Sequence, residues 1–209
     1  MRHVYSAFVM VAALLFAALP ASAQQVTLKF ANFSPAGSKM NQQLIPPFID
    51  ALVKDAQGQL KIDFYPGGTL GRAPDAQLRL VKTGVADIAW IIPYYTPGEF
   101  PDNDVFELPM LVRNGIEGSL AITRMHARGL LRGYDDLKVL ALLIQPPNVV
   151  HTDFPVTGPE SLKGRKIRSA GVIQQRILEA VGATPVGGLT GPQVAENVSR
   201  GLIDGGFSD

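Results

Sequence analysis

Segments with strand-like and helix-like patterns of apolar residues alternate along the chain. Val26–Ala31 and Leu60–Tyr65 alternate apolar and polar residues, as half-buried strands do. Two nearly continuous apolar runs, residues 86–92 and 137–144, are typical of strands buried on both faces. Shorter strands are predicted at 166–168, at 184–186 and from residue 202, and helices at about 44–52, 74–84, 115–127, 172–181 and 192–200. This alternation predicts an α/β fold with parallel strand pairs.

A faint internal repeat relates residues 83–90 to residues 200–207. Both segments contain a glycine after a predicted helix, two apolar residues, an aspartate and then a strand with an aromatic residue. We expect Asp87 and Asp204 to hold this turn rather than to perform acid–base chemistry. The repeat has two interpretations: a common turn of α/β proteins, or two similar lobes whose strand ends face a shared crevice. The pattern alone favours neither.

The amino terminus has the features of a secretory signal peptide. Residues 8–19 are uncharged and apolar, and they are followed by Pro20 and by the small residues Ala21, Ser22 and Ala23. The alternative is a membrane anchor, but the apolar run is shorter than the roughly 20 residues that a spanning helix needs. The sequence therefore predicts residues 1–23 as a signal peptide cleaved after Ala23, and a periplasmic protein.

Composition excludes several kinds of chemistry. The net charge of +1 provides no basic surplus for a nucleic-acid backbone, so no nucleic-acid partner is predicted. The chain has no cysteine, which excludes disulfides, thiolate metal sites and a thiol nucleophile. Only three histidines occur, and no motif for a nucleophile, a phosphate loop or a metal is present. No catalytic residue, metal site or cofactor is predicted.

Arg168 is the residue whose position is best suited to ligand chemistry. It ends a short predicted strand, and the next predicted helix begins a few residues later. A guanidinium near the free N–H groups of a helix start suits a carboxylate, which it can bind in a bidentate manner. The alternative is an exposed arginine of a basic turn, because Lys163, Arg165 and Lys166 lie close by in the sequence.

Six short segments, in order, resemble motifs of the DctP-type solute-binding proteins, the extracytoplasmic receptors of tripartite ATP-independent periplasmic (TRAP) transporters. They are YPGGTLG at 65–71, GVADI at 84–88, FELPML at 106–111, SLKGRKIR at 161–168, GATPV at 182–186 and GLIDG at 201–205. The resemblance implies a two-lobed, type II-like periplasmic-binding-protein fold. Residues 24–147 would form the first lobe, and residues 148–209 would form a partial second lobe, since family members continue beyond the last of these motifs.

The resemblance also implies roles for individual residues. The arginine of the "K-IR" strand binds the ligand carboxylate in this family, so that role passes to Arg168. Where sialic-acid-type members have a second arginine, an aromatic residue and an asparagine, this chain has Asn148, Thr190 or Gly191, and Ser208. These differences argue against sialic acid. The interlobe cleft is predicted to be lined by Asn32, Phe33, Trp90, Asn148, Arg168, Thr190 and Ser208.

The function implied by the resemblance is that of a receptor for a small organic acid. A C4-dicarboxylate is among the candidate ligands, and the membrane permease subunits of a TRAP transporter are the implied partners. Two alternatives stay open at this stage. The first is an exported enzyme of unknown reaction, and the second is a truncated member of the family without binding activity.

Overall fold

The chain forms two β-sheets in a computed structural model that describes residues 24–208; the predicted signal peptide lies outside the described residues. The first sheet contains β1 (Val26–Ala31), β2 (Leu60–Tyr65) and β3 (Ile88–Ala89) in the order β2-β1-β3, with parallel pairing throughout. The second contains β4 (Val149–Thr152), β5 (Lys166–Arg168), β6 (Thr184–Val186) and β7 (Gly205–Ser208) in the order β4-β7-β5-β6. Only β4 is antiparallel to its neighbour in this second sheet.

Helices connect the strands. They are α1 (Ile45–Asp55), α2 (Ala76–Lys82), α3 (Gly115–Ala127), α4 (Val172–Ala180) and α5 (Val194–Ser199), with short 3-10 helices at Pro93–Tyr95, Pro101–Glu107, Pro159–Leu162 and Gly191–Gln193. No helix within residues 24–208 is long and apolar enough to cross a membrane. The two sheets are formed by residues 26–89 and 149–208. The lobe boundary between residues 147 and 148 stays a prediction.

Each sheet packs its own small apolar core. Ile167 of β5 is fully buried together with Leu162, Leu178 and Ala183. In the first sheet, Ala31 of β1 is buried with Leu80 and Ala86. The alternation read from the sequence therefore places one apolar face of each sheet against the helices that follow its strands.

The predicted strand at 137–144 is wrong. This segment has no strand partner among the described residues, although its side chains alternate largely between half-buried and exposed. Ser119 of α3 takes over part of the backbone bonding, because its hydroxyl accepts a hydrogen bond from the N–H of Ile144 at 2.8 Å. The predicted strand at 86–92 also shortens to Ile88–Ala89, the two residues that pair with Phe30 and Ala31 of β1.

The two aspartates of the internal repeat have equivalent structural roles. The Asp87 carboxylate accepts the N–H of Lys29 in β1 at 2.8 Å, and the Asp204 carboxylate accepts the N–H of Lys166 in β5 at 2.7 Å. Each follows a left-handed glycine that ends a helix, Gly84 or Gly201. The prediction that these aspartates hold a turn is confirmed. The two repeated segments form the same helix-to-strand turn, with the aspartate bonded to the neighbouring strand.

Removal of the Asp204 carboxylate should destabilise the second sheet. Asp204→Ala leaves the Lys166 N–H without its acceptor and removes an ion pair with Arg165 at 3.5 Å. We expect a loss of about 1.5–2 kcal/mol in the free energy of unfolding, in the range for hydrogen bonds to charged groups. Asp204→Asn retains an acceptor oxygen and should recover more than half of this loss. Urea denaturation of the three proteins measures the difference, and equal losses for both variants would contradict the assignment.

Candidate functional site

Several of the predicted site residues lie where strands of the two sheets end. Asn32 and Phe33 follow β1, and Trp90 follows β3. In the second sheet Arg168 ends β5, and Ser208 ends β7. Asn148 precedes the antiparallel strand β4, whose first residue pairs with Ser208, so it lies at the same edge. The carboxyl ends of parallel strands are where open α/β sheets bind ligands.

The Arg168 side chain is buried, with an exposed fraction of 2%. Its Nε donates a hydrogen bond to the carbonyl of Leu189 at 2.8 Å, and Nη1 donates to the carbonyl of Phe207 at 3.3 Å. Nη2 donates to the hydroxyl of Tyr95 at 2.9 Å. The alternative interpretation of Arg168 as an exposed arginine of a basic turn is therefore wrong.

The guanidinium of Arg168 lacks an anionic partner within residues 24–208. It takes part in none of the ion pairs found there, and its three acceptors are neutral oxygens. A guanidinium has five N–H groups, so these bonds leave one N–H on each terminal nitrogen. Removing a cation from water is costly unless a counter-charge compensates. The arrangement is thus electrostatically suited to an anion with two acceptor atoms.

Tyr95 joins the two halves of the chain at this point. Its hydroxyl accepts the hydrogen bond from Arg168, and also one from the backbone N–H of Gly191 at 3.3 Å. Residues 95 and 168 are 73 positions apart in the sequence. From the sequence alone, Tyr95 could be expected only to line an apolar wall of the site, because it lies just past the end of a predicted strand. No nearby sequence feature indicates its hydrogen bond to Arg168. The hydrogen bond of its hydroxyl to Arg168 is what sequence reasoning missed.

An aromatic cluster packs against the Tyr95 ring. The Tyr95 ring lies edge-to-face against Tyr94, with centroids 4.7 Å apart, and against Phe33, with centroids 6.0 Å apart. Trp90 is half-buried, and its backbone N–H donates to the carbonyl of Ala31. Phe33 contacts Tyr95, and Tyr95 in turn contacts Arg168. The rings of these residues provide aromatic surface next to the cation.

Two of the predicted site residues use their side chains within the fold. Asn32 is buried, donates to the side-chain oxygen of Asn41 at 2.8 Å and accepts the N–H of Ser34 at 2.9 Å. The Thr190 hydroxyl forms a capping box with Gln193 at the start of the 3-10 helix Gly191–Gln193. Both residues border the site, but their side-chain hydrogen bonds go to other residues of the fold.

The part of the chain that the structure describes holds no cluster of three or more histidine, aspartate or glutamate side chains that could bind a metal ion. The groups around Arg168 offer hydrogen bonding, a positive charge and aromatic contact. None of the hydrogen bonds around Arg168 includes a nucleophile paired with a base.

Sequence comparison identifies similar proteins over nearly the whole described chain. The family of bacterial extracellular solute-binding proteins, family 7 (DctP), matches residues 30–208. The outer membrane transporter protein TsaT of Comamonas testosteroni is 28% identical over 197 residues, which are 92% of this chain and 57% of that protein. A solute-binding protein of Albidiferax ferrireducens is 27% identical, over 88% of this chain and 56% of its own length. The chain spans a little over half the length of these relatives.

Solved structures of similar fold include two proteins with aromatic acids bound. One is a TRAP solute-binding protein from a marine metagenome, specific for aromatic acid ligands and complexed with 3-hydroxybenzoate; it has a TM-score of 0.81 and 33% identity. The other comes from Rhodoferax ferrireducens T118, contains copurified benzoate, and has a TM-score of 0.81 and 36% identity. Each match covers 88% of this chain and 57% of the other. The predicted α/β fold of the periplasmic-binding-protein type is confirmed.

Proposed function

Because the chain belongs to the bacterial extracellular solute-binding proteins of family 7, we propose that it captures an aromatic monocarboxylate and passes it to TRAP membrane subunits. The observation that carries the proposal is the buried Arg168 guanidinium, which has only neutral oxygen partners among the described residues. A receptor needs no covalent chemistry. It requires a complementary site and a conformational change that ligand contacts favour.

The carboxylate is proposed to bind the two N–H groups that the protein leaves on the terminal nitrogens of Arg168. Such a bidentate pair is both stronger and more directional than a single neutral hydrogen bond. The carbonyls of Leu189 and Phe207 hold the guanidinium from the second sheet, and Tyr95 holds it from the other half. The cation is therefore preorganised, which reduces the entropy that binding must overcome.

Two observations favour an aromatic ligand over the C4-dicarboxylate considered from the sequence. The rings of Phe33, Tyr94 and Tyr95 provide edges and faces for a ligand ring beside the cation. A dicarboxylate would need a second buried cation, and Arg168 is the sole charged side chain among the buried residues of 24–208. The two similar proteins with 33% and 36% identity were solved with 3-hydroxybenzoate and benzoate, which supports the same class.

Some of the remaining predicted site residues are proposed to contact the ligand, and others to support the backbone around it. Asn148 and Ser208, half-buried at the edge of the second sheet, flank the carboxylate. Trp90 lines the ring-binding surface from the first sheet. Asn32 and Thr190 support the backbone of the site, since their recorded side-chain bonds lie within the fold. Export to the periplasm, with cleavage after Ala23, completes the proposal.

A comparison of benzoate with benzamide tests the proposed ligand class. The two molecules have nearly the same shape, but only benzoate carries a charge for Arg168. At a concentration 100 times its dissociation constant, a ligand stabilises the native state by about 2.7 kcal/mol, which shifts the midpoint of thermal unfolding by several degrees. We expect benzoate to raise the midpoint and benzamide or succinate to leave it within 1–2 °C or so of the ligand-free value. Equal shifts with benzoate and benzamide, or none with any carboxylate, would reject the proposal.

A further inference from the structure

A second contact between the two halves of the chain lies near the bond between Tyr95 and Arg168. It joins Glu107, the last residue of the 3-10 helix Pro101–Glu107, to Gly171, which precedes α4. A Cβ atom at position 171 would lie 3.6 Å from Oε2 of Glu107 and 3.0 Å from Cβ of Tyr94. The amino end of α4 therefore lies against this glutamate, and a side chain at 171 would press on Cβ of Tyr94.

The Oε2 atom of Glu107 is buried and has no hydrogen-bond partner among the described residues. A buried carboxyl oxygen without a donor is costly when the group is ionised and much less costly when it is protonated.

We propose that Glu107 makes the contact between the two halves sensitive to protons. In the protonated form the carboxyl group stays buried against Gly171 and the amino end of α4. In the ionised form the group must be hydrated, so the contact opens. Closure of the proposed ligand site would then be favoured on the acidic side of neutrality.

The surroundings of the carboxyl group support this assignment. Burial, and to a smaller extent the charge of Asp104, raise the pKa of Glu107 from its ordinary value of 4.5 to about 7. The partial positive charge at the start of α4 acts in the opposite direction. Of the charged side chains on α4, Arg176 and Glu179 are both exposed.

Among residues 24–208, no positively charged side chain forms an ion pair with Glu107. Arg132 is bound to Asp102, with its Nη2 at 2.6 Å from Oδ1. Tyr134 donates its hydroxyl hydrogen to Asn103 at 3.0 Å. Tyr94, whose Cβ and carbonyl oxygen lie against Gly171, is the other residue with a titratable side chain at this contact. Protonation is consequently the means by which the buried form of Glu107 becomes neutral.

The sign of the pH dependence follows from the raised pKa. The closed contact binds the proton more tightly than the open one, so its stabilisation is complete below about pH 4.5 and is lost as the pH rises to about 7. A single titrating group can change the closed-to-open ratio by at most about tenfold per pH unit. Because Glu107 is only half-buried, partial solvation makes the change in this ratio smaller. We expect about a threefold to tenfold change in the closed-to-open ratio over this range.

Thermal unfolding of the ligand-free chain between pH 5 and pH 8 tests the proposal without reference to any ligand. Between these pH values the wild-type midpoint should fall by about 2–4 °C more than the midpoints of Glu107→Gln and Glu107→Leu, which have no proton to lose. Glu179→Gln, an exposed change on α4, is the matched control and should follow the wild type. Identical pH profiles for wild type and both Glu107 variants would overturn the proposal.

Two further measurements complete the test. Carbon-13 NMR of the wild-type side-chain carboxyls should show one glutamate that titrates near pH 7, absent from Glu107→Gln; titration of Glu107 near 4.5 would overturn the proposal. Benzoate affinity, which rests on the proposed function, should fall about threefold to tenfold from pH 5.5 to pH 8 in the wild type and stay constant in Glu107→Gln. Absence of benzoate binding would reject the ligand, while the unfolding profiles would still decide the role of Glu107.

Discussion

Arg168→Ala is expected to abolish measurable benzoate binding or to weaken it by a factor of about 30 to 4000. Removing one partner of a buried charge pair costs about 2–5 kcal/mol, much of it because the other charge loses its counter-charge. Arg168 is buried and its partners within the protein are neutral, so the ligand carboxylate supplies the negative charge of the pair. Arg168→Lys preserves the charge but not the planar fork, so it should recover affinity only in part.

The matched control for this prediction is Arg165→Ala. Arg165 lies three positions earlier, is exposed, and has a weak ion pair with Asp204 at 3.5 Å. Its replacement should change the binding free energy by less than about 0.5 kcal/mol, as expected for surface substitutions. Calorimetric titration measures all three affinities, and thermal unfolding checks that each variant is folded. Wild-type affinity in a folded Arg168→Ala protein would contradict the assigned role.

Gly205→Ala is expected to destabilise the fold by about 3 kcal/mol, at the upper end of overpacking costs. Gly205 lies in β7, the strand between β4 and β5, and is buried. An added methyl group would overlap the backbone carbonyl of His151 and approach Cγ2 of Thr152 at 2.8 Å. Backbone atoms of a paired strand cannot move away without breaking the ladder, so β4 would separate from β7.

Gly187→Ala is the comparison for this variant. Position 187 follows β6, is exposed, and an added Cβ would meet no atom within 4 Å. We expect its unfolding free energy to stay within about 0.5 kcal/mol of the wild-type value. Chemical denaturation of both variants supplies the measurement. Equal stabilities of Gly205→Ala and Gly187→Ala would show that the β4–β7 pairing does not depend on this close approach.

Elements whose signals are local could be predicted from the sequence. Asn114 precedes α3, and its side-chain oxygen accepts the N–H of Glu117, as is typical of an asparagine just before a helix. The strands β1, β2, β5 and β6 have the predicted bounds. The apolar run at 137–144 was wrongly predicted as a strand. Its residues are suited to a strand, but a strand also needs a partner, and the residue pattern does not specify one.

The assembly of the site depends on contacts between distant parts of the chain. The acceptors of Arg168 come from Leu189, Phe207 and Tyr95, which are 21, 39 and 73 positions away. The strand end before a helix made Arg168 a candidate for anion binding, but the same local pattern also suited an exposed arginine of a basic turn. The sequence could not show that Tyr95 binds this cation or that Thr190 caps a short helix, because these bonds depend on how the two halves meet.

A crystal structure of the chain with benzoate tests the central claim most directly. Both carboxylate oxygens should lie within about 2.7–2.9 Å of the terminal nitrogens of Arg168, the distance of a charge-assisted hydrogen bond. The ring should lie against Phe33, Tyr94 or Tyr95. Benzoate bound elsewhere, with the Arg168 guanidinium still holding only Leu189, Phe207 and Tyr95, would contradict the account.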